Sequence, residues 1–170
     1  MKQFNLLSKF ARQVLIAAAV LVSRVNLLPA NISPLGSFGF FGNPVLYGAS
    51  IVLFDLFIKG LYPGFWLTYL GFACYPLFGR VAGKSLNKKL LLLPLASFCF
   101  FLLSNLGVWW YWYDHSVEKL LLCYLLAVPF YARTLVGDLL FGYGYLVVKN
   151  FSAIKVKIGT LFTAASPVIH

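Results

Sequence analysis

From Phe10 to Val148 the chain runs through one long apolar stretch after another, and nothing longer than a short loop of polar residues, prolines and glycines separates them. A helix of about 20 such residues, rising 1.5 Å per residue, matches the roughly 30 Å hydrocarbon core of a bilayer. The stretches are too many and too long for the interior of one soluble domain, so lipid must cover their outer faces. Composition agrees: 61% of the residues are hydrophobic and 11% charged, with a mean hydropathy of +0.86, against about 45–50% and about 25% in soluble domains. The expected fold is an all-α integral membrane bundle formed by a single domain over residues 1–170.

Breaks in the pattern place the elements. A first span covers residues 10–28 and ends at Pro29. Asn31-Ile32-Ser33-Pro34 then opens a second helix, because Asn or Ser can cap and Pro suits a first turn. Gly42-Asn43-Pro44 ends it after few residues, so 34–42 is a short span or a re-entrant piece. Further spans are predicted at 44–58, 63–78 and 90–110. The last apolar region is too long for one crossing and Pro129 divides it, which predicts a re-entrant or interfacial helix at 117–128 and a sixth span at 130–148.

Basic residues set the orientation, since Lys and Arg flanking spans favour the cytoplasm. Six crossings put Lys2, Lys9 and Arg12, then Arg80, Lys84, Lys88 and Lys89, then Lys149, Lys155 and Lys157 all inside. These are ten of the fourteen Lys and Arg residues. Both termini are therefore expected in the cytoplasm of a bacterium, with the chain multi-pass in its inner (plasma) membrane. Trp109-Trp110-Tyr111-Trp112-Tyr113 would lie at the outer interface, where amphipathic rings prefer to sit. The basic stretch before the first apolar run lacks a small-residue cleavage site, so that run is read as a retained helix.

The formal charge of +10 does not indicate nucleic acid, because the cations form short clusters between apolar runs and not a stripe on one face. Cys74, Cys99 and Cys123 lie inside apolar runs without metal-ligand spacing, so neither disulfides nor a metal are predicted. Asp114, His115 and Glu118 read as a wet loop. No phosphate loop, ATPase motif or acid/base set is present, so no cofactor and no enzymatic activity are expected.

Polar residues within the spans carry the remaining information, because a charge at a helix centre costs about 2.5–3.5 kcal/mol on insertion scales unless paired or wet. In the six-span arrangement Arg24, Asp55, Arg133 and Asp138 all fall toward the outer ends of their helices, with Asn26, Asn31, Ser33 and Asn105. Their convergence predicts an outward cavity with walls from Tyr62, Trp66, Trp109 and Trp110. Thr134 and Asp138, four residues apart on one helix face, can point into it together. The alternative is two buried ion pairs that fix helix register, with the tryptophans an interfacial belt. Two arginines and two aspartates fit a zwitterion or a partly anionic heterocycle, and the aromatic walls fit a flat ring. On the first helix, Ala19 and Ser23 are four apart on one face and permit close helix approach, within the bundle or against a partner.

Several of these residues resemble a known pattern. Asn31-Ile32-Ser33-Pro34-Leu35-Gly36, Asp55, Ser104-Asn105-Leu106-Gly107-Val108-Trp109, and Cys123-Tyr124 through Pro129-Phe130 to Thr134-Leu135-Val136-Gly137-Asp138-Leu139-Leu140 look like a bacterial family of small transport proteins without assigned substrates. More distantly they resemble the substrate-binding S components of energy-coupling factor (ECF) transporters, whose biotin-type members carry Pro-Phe and Gly-Asp-Leu-Leu elements at the last helix. The resemblance implies six helices with cytoplasmic ends. It also implies capture of a vitamin-like micronutrient, with energy from separate ATPase subunits and docking to a transmembrane coupling subunit through the first helix. Where family members carry Ala-x-x-x-Ala there, this chain has Ala19-x-x-x-Ser23, and its longer interval from Phe130 to Gly137 does not support biotin. The runner-up expectation is a membrane scaffold such as an MreD-like morphogenesis protein.

Overall fold

The computed structural model describes residues 2–23, 28–29 and 31–164, with side chains described at 11–22, 28–29 and 31–151. The elements are α1 (Lys2–Ser23), α2 (Leu35–Phe41), α3 (Pro44–Phe54) continued by a π-helical turn (Asp55–Lys59), α4 (Phe65–Ala82), α5 (Leu86–Trp112) and α6 (Val117–Ala164). No strand occurs among the described residues.

Local chemistry explains where these helices differ from the apolar stretches. α1 begins at Lys2 and not at residue 10, because Lys, Gln, Leu and Arg propagate a helix without needing an apolar surface. The stretch 24–27, including Arg24, lies outside the described residues. Asn43 caps α3: its side-chain oxygen accepts from the N–H groups of Val45 at 2.8 Å and Leu46 at 3.3 Å. α4 runs on to Ala82 because the residue that stops it is Gly83, at φ +53, where a side chain would be strained. α5 starts four residues before its apolar run, where the Ser85 hydroxyl accepts from Lys88 N–H.

The break expected at Pro129 is absent. α6 is one helix of 48 residues with Pro129 inside it, so the separate helix at 117–128 and the span at 130–148 are a single element. A proline costs a helix interior about 3 kcal/mol. Ending the helix in an apolar surrounding would unpair several backbone groups at several kcal/mol each. Continuity is the smaller loss, as at Pro76 in α4 and Pro94 in α5.

α4 and α5 form the most extensively packed pair, α6 lies along α5, and α1 packs against α3. Between them sits α2, only seven residues and about 10 Å long, with Leu35, Gly36, Ser37, Phe38, Gly39 and Phe40 all buried. It touches α4, α6, α3, α1 and α5 and so forms the centre of the bundle. Tyr47, Ile51, Tyr75, Leu93 and Ala96 surround it. Glycine permits the closest approaches: a side-chain carbon on Gly79 would collide with the Phe40 carbonyl, and one on Gly36 with the Asp138 carboxyl and the Tyr75 ring.

Two helices are long and apolar enough to cross a membrane, Leu86–Trp112 and Val117–Phe151. Only 22% and 17% of their most apolar windows are buried inside the protein. A core helix of a soluble protein would be mostly buried, whereas here Leu91, Leu121, Leu125, Leu140 and Val148 stand exposed. Such a surface suits hydrocarbon.

Candidate solute-binding cavity

Asn31, in the turn that leads into α2, adopts φ +68, the one positive φ outside glycine among the described residues. Asparagine tolerates that conformation better than other side chains, but it is uncommon and recurs where backbone is held for a purpose. A turn closed by Ile32 N–H donating to the Pro29 carbonyl (3.0 Å) holds it, and the Ser33 hydroxyl accepts from Leu35 N–H at 3.0 Å. This places Asn31 over the seam between α5 and α6.

A cavity of about 200 Å³ opens beneath it. Its walls carry the aromatic rings of Phe100, Phe101, Phe130 and Tyr131, and its polar groups include Ser104, Asn105 and Thr134. Phe101 and Tyr131 stack at 4.6 Å, and Phe100 stacks on Phe72 at 4.6 Å, so the walls are braced from behind. Asn105 donates through Nδ2 to the Phe101 carbonyl at 2.8 Å, Ser104 to the same carbonyl at 3.4 Å, and Thr134 to the Phe130 carbonyl at 3.1 Å.

One turn below Thr134 on α6 lies Asp138, 1% exposed. Its Oδ2 accepts from the Tyr75 hydroxyl at 2.5 Å, and its backbone carbonyl accepts from the Ser37 hydroxyl at 2.8 Å. Ser97, fully buried, adjoins the same carboxyl with its hydroxyl outside hydrogen-bond geometry. No described Lys or Arg pairs with Asp138. Asp138 is therefore tied into the bundle centre, its carboxyl by Tyr75 of α4 and its backbone carbonyl by Ser37 of α2, and it does not line the cavity.

The residues expected at one outward site are thus divided. Asn31 and Asn105 meet on the cavity with Thr134. Asp55 is buried elsewhere, opening the π-helical turn and accepting from the Tyr69 hydroxyl at 3.0 Å. Arg133 is exposed and lies off the cavity, so it neither lines the site nor pairs with Asp138. Trp66 donates through its indole to Tyr111 Oη at 3.2 Å, and Trp109 to the Ser116 carbonyl at 3.3 Å. Both belong to an aromatic end of the bundle, where Trp109 and Trp110 also pack on the His115 ring. Ala17 and Val20 turn α1 inward and leave Ala19 exposed, while the Ser23 side chain and Arg24 lie outside the described residues.

Sequence reasoning missed Tyr75, Ser97 and the phenylalanine walls. A serine alone in an apolar run, as at Ser97, is the one signal that could have pointed there.

The model of a family of unknown function, DUF6580, matches residues 4–161. The chain belongs to that family. No curated protein and no solved structure matches it. The DUF6580 match takes in nearly all of α1, all of α2 to α5 and nearly all of α6, so the cavity and the buried carboxyl both lie within the matched residues. Chemically the arrangement can hold and orient a small solute. Among the described residues no three His, Cys, Asp or Glu side chains gather to bind a metal.

Proposed function

We propose that the protein is a membrane-embedded solute-binding subunit for uptake of a small micronutrient, similar in plan to ECF S components and energised by separate ATPase subunits. The observation that carries this reading is the cavity between α5 and α6: polar groups from three segments of an otherwise apolar chain meet on one aromatic-walled space. At about 200 Å³ it is smaller than the roughly 300–1,000 Å³ of drug-sized sites, which suits a small nutrient. The exposed Ala19 face of α1 is where a transmembrane coupling subunit would dock. Native mass spectrometry of protein purified in mild detergent is expected to detect a co-purifying small molecule, lost in Asn105→Leu. Persistent association with cell-wall or cytoskeletal proteins and no small molecule would favour an MreD-like scaffold instead.

The proposal includes six crossings of a bacterial inner membrane with both termini cytoplasmic. Its support is that Tyr143 on α6 donates to the Leu90 carbonyl at 2.7 Å, which brings Lys149 to the same end of the bundle as Lys84, Lys88 and Lys89. The tryptophan cluster occupies the opposite end. In a variant lacking the three native cysteines, Ser116→Cys should react with a membrane-impermeant maleimide in intact cells, and Ser85→Cys only after permeabilisation. External labelling at position 85 would overturn this orientation.

A further inference from the structure

We infer that the lysine-rich end of the bundle is a binding site for an anionic phospholipid, its cations holding the headgroup phosphate and its exposed apolar side chains the acyl chains. This goes beyond the solute reading and does not depend on it. Charge is the first observation. Arg80 lies in the last turn of α4, Lys84 in the turn that follows, and Lys88 and Lys89 near the start of α5. The bond from Tyr143 to the Leu90 carbonyl brings Lys149 of α6 to the same end. The whole sequence holds four Asp and Glu side chains, and each stands elsewhere. Asp138 is buried against Tyr75 and Asp55 against Tyr69, while Asp114 and Glu118 lie beside the tryptophan cluster at the opposite end. No acidic side chain of the chain is therefore in place to neutralise these cations.

The cations are also held in place. Lys89 donates through Nζ to the Lys84 carbonyl at 3.4 Å, which turns one ammonium group back onto the loop that carries another. Lys149 Nζ lies 5.4 Å from the centre of the Tyr145 ring. Like charges gathered in this way repel one another, and a bound anion removes that repulsion. Apolar surface adjoins them on both helices: Leu90 and Leu91 stand exposed next to Lys88 and Lys89, and Val147 and Val148 next to Lys149. Lysine stems lie along such a surface and carry their ammonium groups to its polar edge. A soluble anion would use the cations alone, whereas a phospholipid uses the cations and the apolar shelf together. Basic clusters where helices leave a bilayer recognise anionic headgroups by this combination.

The test compares two lipids with the same acyl chains, anionic phosphatidylglycerol and zwitterionic phosphatidylcholine. The full chain in mild detergent receives equal amounts of both, and bound lipid is counted by native mass spectrometry. Phosphatidylglycerol is expected to be retained about tenfold over phosphatidylcholine, with the preference falling as salt is raised. Lys84→Gln/Lys88→Gln/Lys89→Gln should abolish most of that preference. Lys149→Gln, a single exposed change on another helix, should lower it and tests the site even where the triple variant does not fold. Arg133→Gln, which removes an exposed cation elsewhere on α6, should leave it unchanged. Equal retention of the two lipids, or an undiminished preference in the lysine variants, would overturn the inference and leave the cations to an acidic protein face. Displacement of phosphatidylglycerol by millimolar inorganic phosphate would also overturn it, in favour of a soluble anion. None of these outcomes bears on whether the cavity holds a solute.

Discussion

Gly79→Ala is expected to destabilise the bundle by about 3 kcal/mol or more, at the upper end of what overpacking a core costs. The added carbon would collide with the carbonyl oxygen of Phe40. That atom belongs to the backbone of α2, so no side-chain rotation can yield, and α2 itself would have to withdraw from α4. Because α2 is buried along most of its length and touches every neighbouring helix, its withdrawal disturbs the whole core. Thermal unfolding in detergent should show a drop well outside measurement error together with reduced expression. Gly144→Ala is the control, since nothing lies within 4 Å of a carbon placed there; alanine's better helix propensity should leave it neutral or stabler by up to about 1 kcal/mol. A Gly79→Ala protein as stable as the parent would mean that α2 does not seat against α4 as described.

The second large effect concerns Tyr75 and Asp138. Tyr75→Phe deletes one hydroxyl and strands a buried carboxyl, and should cost about 1.5–3 kcal/mol, the range for a hydrogen bond to a charged group. Asp138→Leu strands the Tyr75 hydroxyl instead and should cost about 1–3 kcal/mol before any packing strain. The double variant removes both polar groups and should be less destabilised than the sum of the two by about 0.5–3 kcal/mol. Strictly additive losses in chemical denaturation would show that the two side chains do not depend on each other. The sign is informative, because a buried polar pair can often be replaced by apolar groups at little net loss, whereas breaking one half is costly.

The contrast between Asp138 and its neighbour Thr134 shows what the sequence could and could not disclose. Their i, i+4 spacing correctly puts both on one side of α6, and only the third dimension separates them. Thr134 reaches the cavity, while Gly36 of α2 comes up against Asp138 and covers it. That cover depends on a contact between residues about a hundred positions apart, which no local pattern encodes. The turn at Asn43 was legible because it depends on local chemistry, an Asn-Pro cap, whereas the stop at Gly83 was not, the span having been expected to end at 78. Pro129 was misread for the opposite reason. Its local preference is to end a helix, and the apolar surroundings of α6 outweigh it. The pairing of Asn31 with Asn105 was legible only as a shared depth in the bilayer, and the phenylalanines that complete the cavity look in sequence like any other lipid-facing residues.

The unbroken length of α6 has a mechanical consequence. Its 48 residues amount to about 72 Å of helix at 1.5 Å per residue, more than twice the roughly 30 Å of bilayer hydrocarbon, so no ordinary tilt can hide the whole rod. Pro129 removes one backbone hydrogen bond near the cavity, where Ala127, Phe130, Tyr131 and Thr134 form one wall, and thereby marks the place where the rod bends most easily. From there to Ala164 the arm is roughly 50 Å. A swing of only about 5° at that point carries the far tip sideways by about 4–5 Å, nearly one helical turn. A bend at the cavity wall would therefore be magnified at the far end of α6, as a short displacement near a fulcrum is magnified at the end of a lever.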